Sequence, residues 1–183
     1  MSTMETYTLE LDPSTQKYLT LYLYKDVKNM PDIRKKILSG ELECCVLKAA
    51  LVADSFQVAV AANKAVLREK AGTLVTKSLF TEIIFAMSSS SNISLSLTKF
   101  GVNDNDRDIL VALIHHENDR ESVAEKILRF VDGQKTPISQ LDKVTDVKLV
   151  RKIYKIEDEE LKVSSLVDSI VSRIGGDYPV SLK

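Results

Sequence analysis

Glycine is scarce, with six in 183 residues, at positions 40, 72, 101, 133, 175 and 176, and apart from the last pair they stand far apart. A loop that cradles phosphates needs several closely spaced glycines, because it must turn tightly and bring its backbone up to the anion without intervening side chains. Walker A, Rossmann and kinase glycine loops are therefore excluded. Each glycine instead follows an amphipathic stretch and is expected to punctuate a helix C-terminus. Cysteine is sparser still. Cys44 and Cys45 are the whole complement and are neighbours; bridging adjacent residues strains both the disulfide and the peptide bond, so both are expected to be reduced and partly buried. Long apolar runs are missing too. The longest, residues 109–114, falls far short of the ~20 residues a bilayer requires, and the amino terminus lacks the basic-then-apolar layout of a signal peptide. The chain is expected in the cytoplasm and nucleus, with no membrane contact. Nor does one sign of charge dominate: 25 Lys and Arg against 26 Asp and Glu leave a net charge of −1, so any attraction to nucleic acid has to come from local clustering of cations.

What is present suits an ordinary globular domain: 44% hydrophobic and 28% charged residues supply a core able to outweigh ordering entropy. A single domain over 1–183 is expected, with flexible ends at 1–6 and 175–183. Residues 7–11 alternate, and Leu19, Leu21 and Leu23 repeat that period after a turn at 12–15, which predicts a hairpin. Asn29 is expected to cap a helix to Gly40, with Pro31 in its first turn. Residues 45–53 are apolar and ambiguous. Asp54 caps the longest early helix, ended by Gly72, whose apolar face includes Phe56, Ala59, Val60, Ala62 and Val66. Further helices are expected over 78–87 and from Asn92 to Gly101. The run 109–114 reads as a central strand covered on both faces. Helices closed by Gly133, opened by Asp146, and running from about Val163 to Ile174 follow, the last with Glu157, Asp158, Glu159 and Glu160 at its amino-terminal dipole. The fold class is α+β, a small, mainly antiparallel sheet packed with several helices.

Chemistry-bearing residues are few. His115 and His116 end the central strand, where successive side chains point to opposite faces, so they cannot share a metal; no other histidine and no Cys-x-x-Cys pair completes a shell. They read as surface or edge residues. The serines at 88–91 lack a nucleophile-elbow pattern, and nothing near Cys44 marks a lowered thiol pKa. No catalytic residue, metal or cofactor is assigned. Two basic groupings remain. Lys148, Arg151, Lys152 and Lys155 share one helical face, and Lys64 and Arg68 stand one turn apart with Lys70 and Lys77 following. Each is either a solvated face, the former balanced by the acidic run downstream, or a contact for a polyanion such as an RNA backbone.

Several separated segments resemble one family. They are Tyr24-Lys25-Asp26-Val27-Lys28-Asn29, Phe56-Gln57 leading into Val60-Ala61-Ala62-Asn63-Lys64-Ala65-Val66, Thr81-Glu82-Ile83-Ile84-Phe85, Asn92-Ile93-Ser94 with Lys99-Phe100-Gly101, and Lys152-Ile153-Tyr154-Lys155. In this order they resemble the PRPK-binding small subunits of the KEOPS (EKC) complex. The resemblance implies a non-catalytic subunit of the machinery that installs threonylcarbamoyladenosine (t6A) in tRNA. It implies docking on the N-lobe of a PRPK-type atypical kinase that acts as an ATPase. Indirect partners are the threonylcarbamoyl transferase and the remaining subunits. Archaeal relatives also hold the 3′ CCA end of tRNA, and tend to carry Arg-Gln-Ile where this chain reads Ser91-Asn92-Ile93. The tRNA candidates are then Asn63, Lys64, Arg68, Lys77 and Asn92, with Arg151, Lys152 and Lys155 as a second patch. The last helix carries more apolar positions than one buried stripe needs, which nominates Leu161, Val167 and Ile170 for the kinase. The alternatives are an interaction adaptor or kinase regulator with no RNA contact, and a small enzyme using His115, His116 or Cys44.

Overall fold

The structure, a computed structural model, describes residues 4–176; of the expected flexible ends, 1–3 and 177–183 lie outside the described residues. In chain order the elements are β1 (Tyr7–Glu10), β2 (Tyr18–Lys25), α1 (Met30–Leu38), β3 (Cys45–Lys48), α2 (Ser55–Ala71), α3 (Leu79–Met87), α4 (Ile93–Phe100), β4 (Ile109–His115), α5 (Arg120–Leu128), β5 (Gln134–Thr136), α6 (Val147–Tyr154) and α7 (Leu166–Gly175). All strand pairs are antiparallel, in the order β1-β2-β4-β3. β5 shares with β1 one edge of β2: β1 pairs with residues 18–21 and β5 with 23–25. The chain is α+β, as its pattern predicts.

Alternation along β2 and β4 divides the core in two. Leu19, Leu21 and Leu23 join Leu110 and Ala112 on one face, beneath α2, α3, α6 and α7. Tyr22 and Tyr24 join Ile109, Val111 and Leu113 on the other, beneath α1 and α5. Covered on both sides, β4 can be apolar at every position from Ile109 to Ile114, and each of its leucines buried from water contributes roughly 1.5–3 kcal/mol. Cys44 and Cys45 divide in the same way, one in each half of the core.

Several local expectations are corrected. Asn29 makes no cap bond with its side chain; its Nδ2 donates to Phe130 O at 2.7 Å and its Oδ1 accepts from Asp132 N at 3.0 Å, clamping the segment after α5. Gly133 closes no helix. α5 ends at Leu128, and a Cβ at Gly133 would stand 2.7 Å from Val27 Cγ2, so glycine is required there for close packing. Gly72 does serve as the α2 cap, at φ +68. The last helix begins at Leu166 behind Ser165, not near Val163, which is 89% exposed. The acidic run therefore does not meet its dipole. Asp158 pairs with Arg151, Glu159 with Lys162, and Glu160 with Arg173.

Candidate functional site

α2 is set by its cap, Asp54 Oδ1 accepting from Phe56 N at 2.8 Å, and by small residues Ala59, Ala61, Ala62 and Ala65 on its buried side, which let α3 and α7 approach closely. That closeness decides the fate of its polar residues. Asn63 Oδ1 accepts from Asp12 N at 2.7 Å and ties the hairpin turn to the helix. Lys64 Nζ donates to the carbonyls of Ile174 (3.1 Å) and Gly176 (3.3 Å), where a cation complements the negative end of α7. Arg68 Nη1 lies 2.8 Å from Glu82 Oε1. Asn92 caps α4 by accepting from Leu95 N at 2.9 Å. Of the first tRNA set only Lys77 is an exposed side chain with no hydrogen bond or ion pair among the described residues. The other four have structural partners inside this chain.

Glu82 is fully buried. Besides Arg68 it accepts from Val75 N (3.1 Å), Thr76 N (2.8 Å) and Thr76 Oγ1 (2.8 Å). Burial alone would push its carboxyl up, but the Thr76 amide and hydroxyl and the Arg68 guanidinium together hold it below the ordinary carboxylate value. The network fixes the connection between α2 and α3.

The second basic set does come together. Lys148, Arg151, Lys152 and Lys155 line one shallow hollow with Ile156 and Glu157. Asp146 Oδ1 caps the helix beneath it at Leu149 N (3.0 Å). Arg151 is held by Asp158 Oδ1 at 2.5 Å. Lys148, Lys152 and Lys155 are exposed and make no ion pair among the described residues.

Reactive groups are withdrawn. Burial pushes the Cys44 thiol up to about 12 and Cys45 well above its usual value. Neither is expected to react with iodoacetamide at pH 8 in the native protein, whereas both should label in denaturant; labelling of folded protein at the denatured rate would overturn this. His115, expected at the surface, is buried. A carbonyl only accepts, so its Nδ1 carries the proton and donates to His116 O (2.7 Å), and Nε2 accepts from the Thr20 hydroxyl (2.8 Å). His116 is exposed and its Nδ1 donates to Gln16 O at 2.9 Å.

The apolar nominations divide. Ile170 is 0% exposed and belongs to the core, so it is not available to a partner. Leu161 is half-buried against the same cluster, whereas half-buried Val167 joins neither cluster. A surface not foreseen is a groove between β1 and α2 lined by Leu9, Leu11, Phe56, Ala59, Val60 and Asn63, with Phe56 47% and Leu9 37% exposed. The signal was present: Val58, Ala61, Ala62 and Ala65 already complete a buried stripe, so Phe56 and Val60 form a second one.

A family model described as kinase binding protein CGI-121 matches residues 24–176. The chain is 36% identical over 167 residues to a Danio rerio protein named EKC/KEOPS complex subunit TPRKB, spanning 91% of this chain and 95% of the relative. It is 30% identical over 164 residues to EKC/KEOPS complex subunit cgi121 of Aspergillus fumigatus, spanning 82% and 87%. With the protein of the same name from Schizosaccharomyces pombe it shares 26% over 171 residues, spanning 90% and 97%. The match takes in α2, α6 and α7, the helices that carry the surfaces described above. By that span and that likeness, the chain belongs to the CGI-121 family of kinase binding proteins.

Proposed function

We propose that this protein is a non-catalytic subunit of the KEOPS (EKC) complex, acting in tRNA t6A modification in the cytoplasm and nucleus. In this reading it binds the N-lobe of a PRPK-type kinase, which acts as an ATPase, and helps recruit tRNA through the 3′ CCA end. The observation that carries it is the contrast between withdrawn reactive groups and exposed apolar surface: the thiols and His115 are buried, while Phe56 and Leu9 face outward. Such a surface suits docking, where a few apolar anchors ringed by polar groups supply most of the binding energy.

The test is reconstitution of t6A formation from purified subunits with and without this chain. Added chain is expected to co-purify with the kinase and raise t6A yield, and to show no ATP or ester hydrolysis alone. Hydrolysis by the homogeneous chain, abolished by His115→Ala or Cys44→Ala, would sink the reading, as would absence of a kinase complex. A second reading, an adaptor without RNA contact, is favoured by the internal partners of Asn63, Lys64, Arg68 and Asn92. A salt slope of tRNA binding by the kinase complex that is the same with and without this chain would select it.

A further inference from the structure

We propose that the α6 hollow is a phosphate-backbone contact for helical RNA, gripping phosphodiesters through Lys148, Lys152 and Lys155 without reading bases. The assignment rests on the tRNA-recruiting reading above but places the contact away from α2 and the α4 cap, where the candidates Asn63, Lys64, Arg68 and Asn92 have partners within the fold.

Three observations carry it. First, the charge of the hollow is only partly balanced from nearby. Of the acidic run, Asp158 neutralises only the hollow's own Arg151, while Glu159 is committed to Lys162 and Glu160 to Arg173, leaving Glu157 alone against three exposed lysines. Like charges on adjacent turns repel, and a bound polyanion relieves that repulsion. Second, Lys155 stands where its backbone favours another residue. It caps α6 in the left-handed region, at φ 54 and ψ 51, with its N–H bonded to the carbonyls of Arg151 and Lys152. Its own carbonyl accepts from Arg173 Nη2 at 3.2 Å. Glycine holds such a position without steric cost; lysine there gains from the negative end of the α6 dipole and at the same time turns a cation to the hollow. The same bonds fix the main chain beneath its ammonium group.

Third, the lining suits phosphate better than peptide. Lys148 and Lys152 are separated by about 6 Å of helix rise, comparable to the separation of successive phosphates along a strand. Lysine ammonium groups act as point charges that position a backbone and carry no sequence information. The hollow has no aromatic side chain on which a base could stack, its one guanidinium, Arg151, is held by Asp158, and Ile156, its one apolar residue, is buried, so it offers neither a free stacking platform for a base nor an apolar anchor for a peptide.

The experiment measures binding of the full-length chain to a labelled RNA hairpin, with and without a single-stranded CCA extension, over a series of salt concentrations. Both RNAs are expected to bind with the same α6-dependent share of the salt slope. Lys155→Gly should lower the slope by about 0.9, the share of one duplex phosphate, and Lys152→Gln/Lys155→Gly by about 1.8, with affinity at low salt falling on the order of tenfold in the double variant. Because Lys155→Gly relieves the left-handed backbone, its melting temperature should equal or exceed that of the wild type, so weaker binding cannot be put down to misfolding. Unchanged slopes in both variants, wild-type chain that binds neither RNA, or equal binding of polyglutamate in place of RNA would each overturn the assignment. Kinase co-purification is measured on the same variants and is expected to be intact; if the wild-type chain fails that measurement, the broader reading falls instead, whatever the slopes show.

Discussion

Glu82→Ala is expected to lower stability by about 3–5 kcal/mol, the range for breaking a buried charge pair from one side. The change strands the amides of Val75 and Thr76 and the Thr76 hydroxyl, each of which now donates to the carboxylate, and an unsatisfied buried donor costs about 1–3 kcal/mol. Arg68→Ala should cost clearly less, about 2 kcal/mol, because the remaining carboxylate keeps those three donors. The Arg68 side chain is 29% exposed and can reach water when Glu82 is removed, so the double variant should cost less than the sum of the two. At roughly 2–4 °C per kcal/mol for a chain of this size, Glu82→Ala should melt some 6–20 °C lower. The pH dependence has a definite sign. The folded Glu82 carboxyl is held below its unfolded value, so its contribution is complete above about pH 4.3 and is lost as pH falls through the folded value. Glu160, held at about 2 chiefly by Arg173, behaves likewise over a wider window, from about pH 4.3 down to about 2. Urea melts between pH 3 and 7 should therefore flatten at the acid end for Glu82→Ala. An Arg68→Ala variant as stable as wild type would return Arg68 to the RNA candidates.

The contrast between Glu82 and the strands shows what could be read from the sequence. β4 and the β1–β2 hairpin were legible because burial on one face or two imposes a period that a short stretch displays by itself. α2 was legible from Asp54 and Gly72, which act on neighbours in sequence. What escaped depends on partners brought close only by folding: Asn29 on residues 130–132, Gly133 against Val27, His115 on Thr20. β5, Gln134–Thr136, has no alternation to display, since it only completes an edge of β2. The basic residues divide by the same rule. The spacing on α6 put four cations on one face and the structure keeps them there, whereas the equally regular Lys64 and Arg68 are claimed by α7 and α3. Spacing along one helix reports which side chains share a face; it does not report what packs against that face.

The same reasoning decides how kinase docking is best probed. Ile170→Asp would place a carboxylate in the core, and Leu161→Asp would disturb a side chain packed against it, so loss of binding in either would report unfolding. Phe56 and Val167 are different. Each lies in the first turn of its helix, after the caps Asp54 and Ser165, where a carboxylate meets the positive end of the helix dipole. Asp at either site should therefore change stability by no more than about 0.5 kcal/mol. If the β1–α2 groove receives the kinase, Phe56→Asp removes a large aromatic anchor and buries a charge in its place. Hot-spot truncations cost about 2 kcal/mol or more, so affinity should fall at least ~30-fold. Val167→Asp should cost less, because a half-buried aliphatic side chain offers less area than an exposed phenyl ring. Titration calorimetry on the two variants, with melting curves as a control, separates the surfaces. Loss confined to Val167→Asp would move the interface to the outer face of α7, and undiminished binding in both would remove groove and helix face alike.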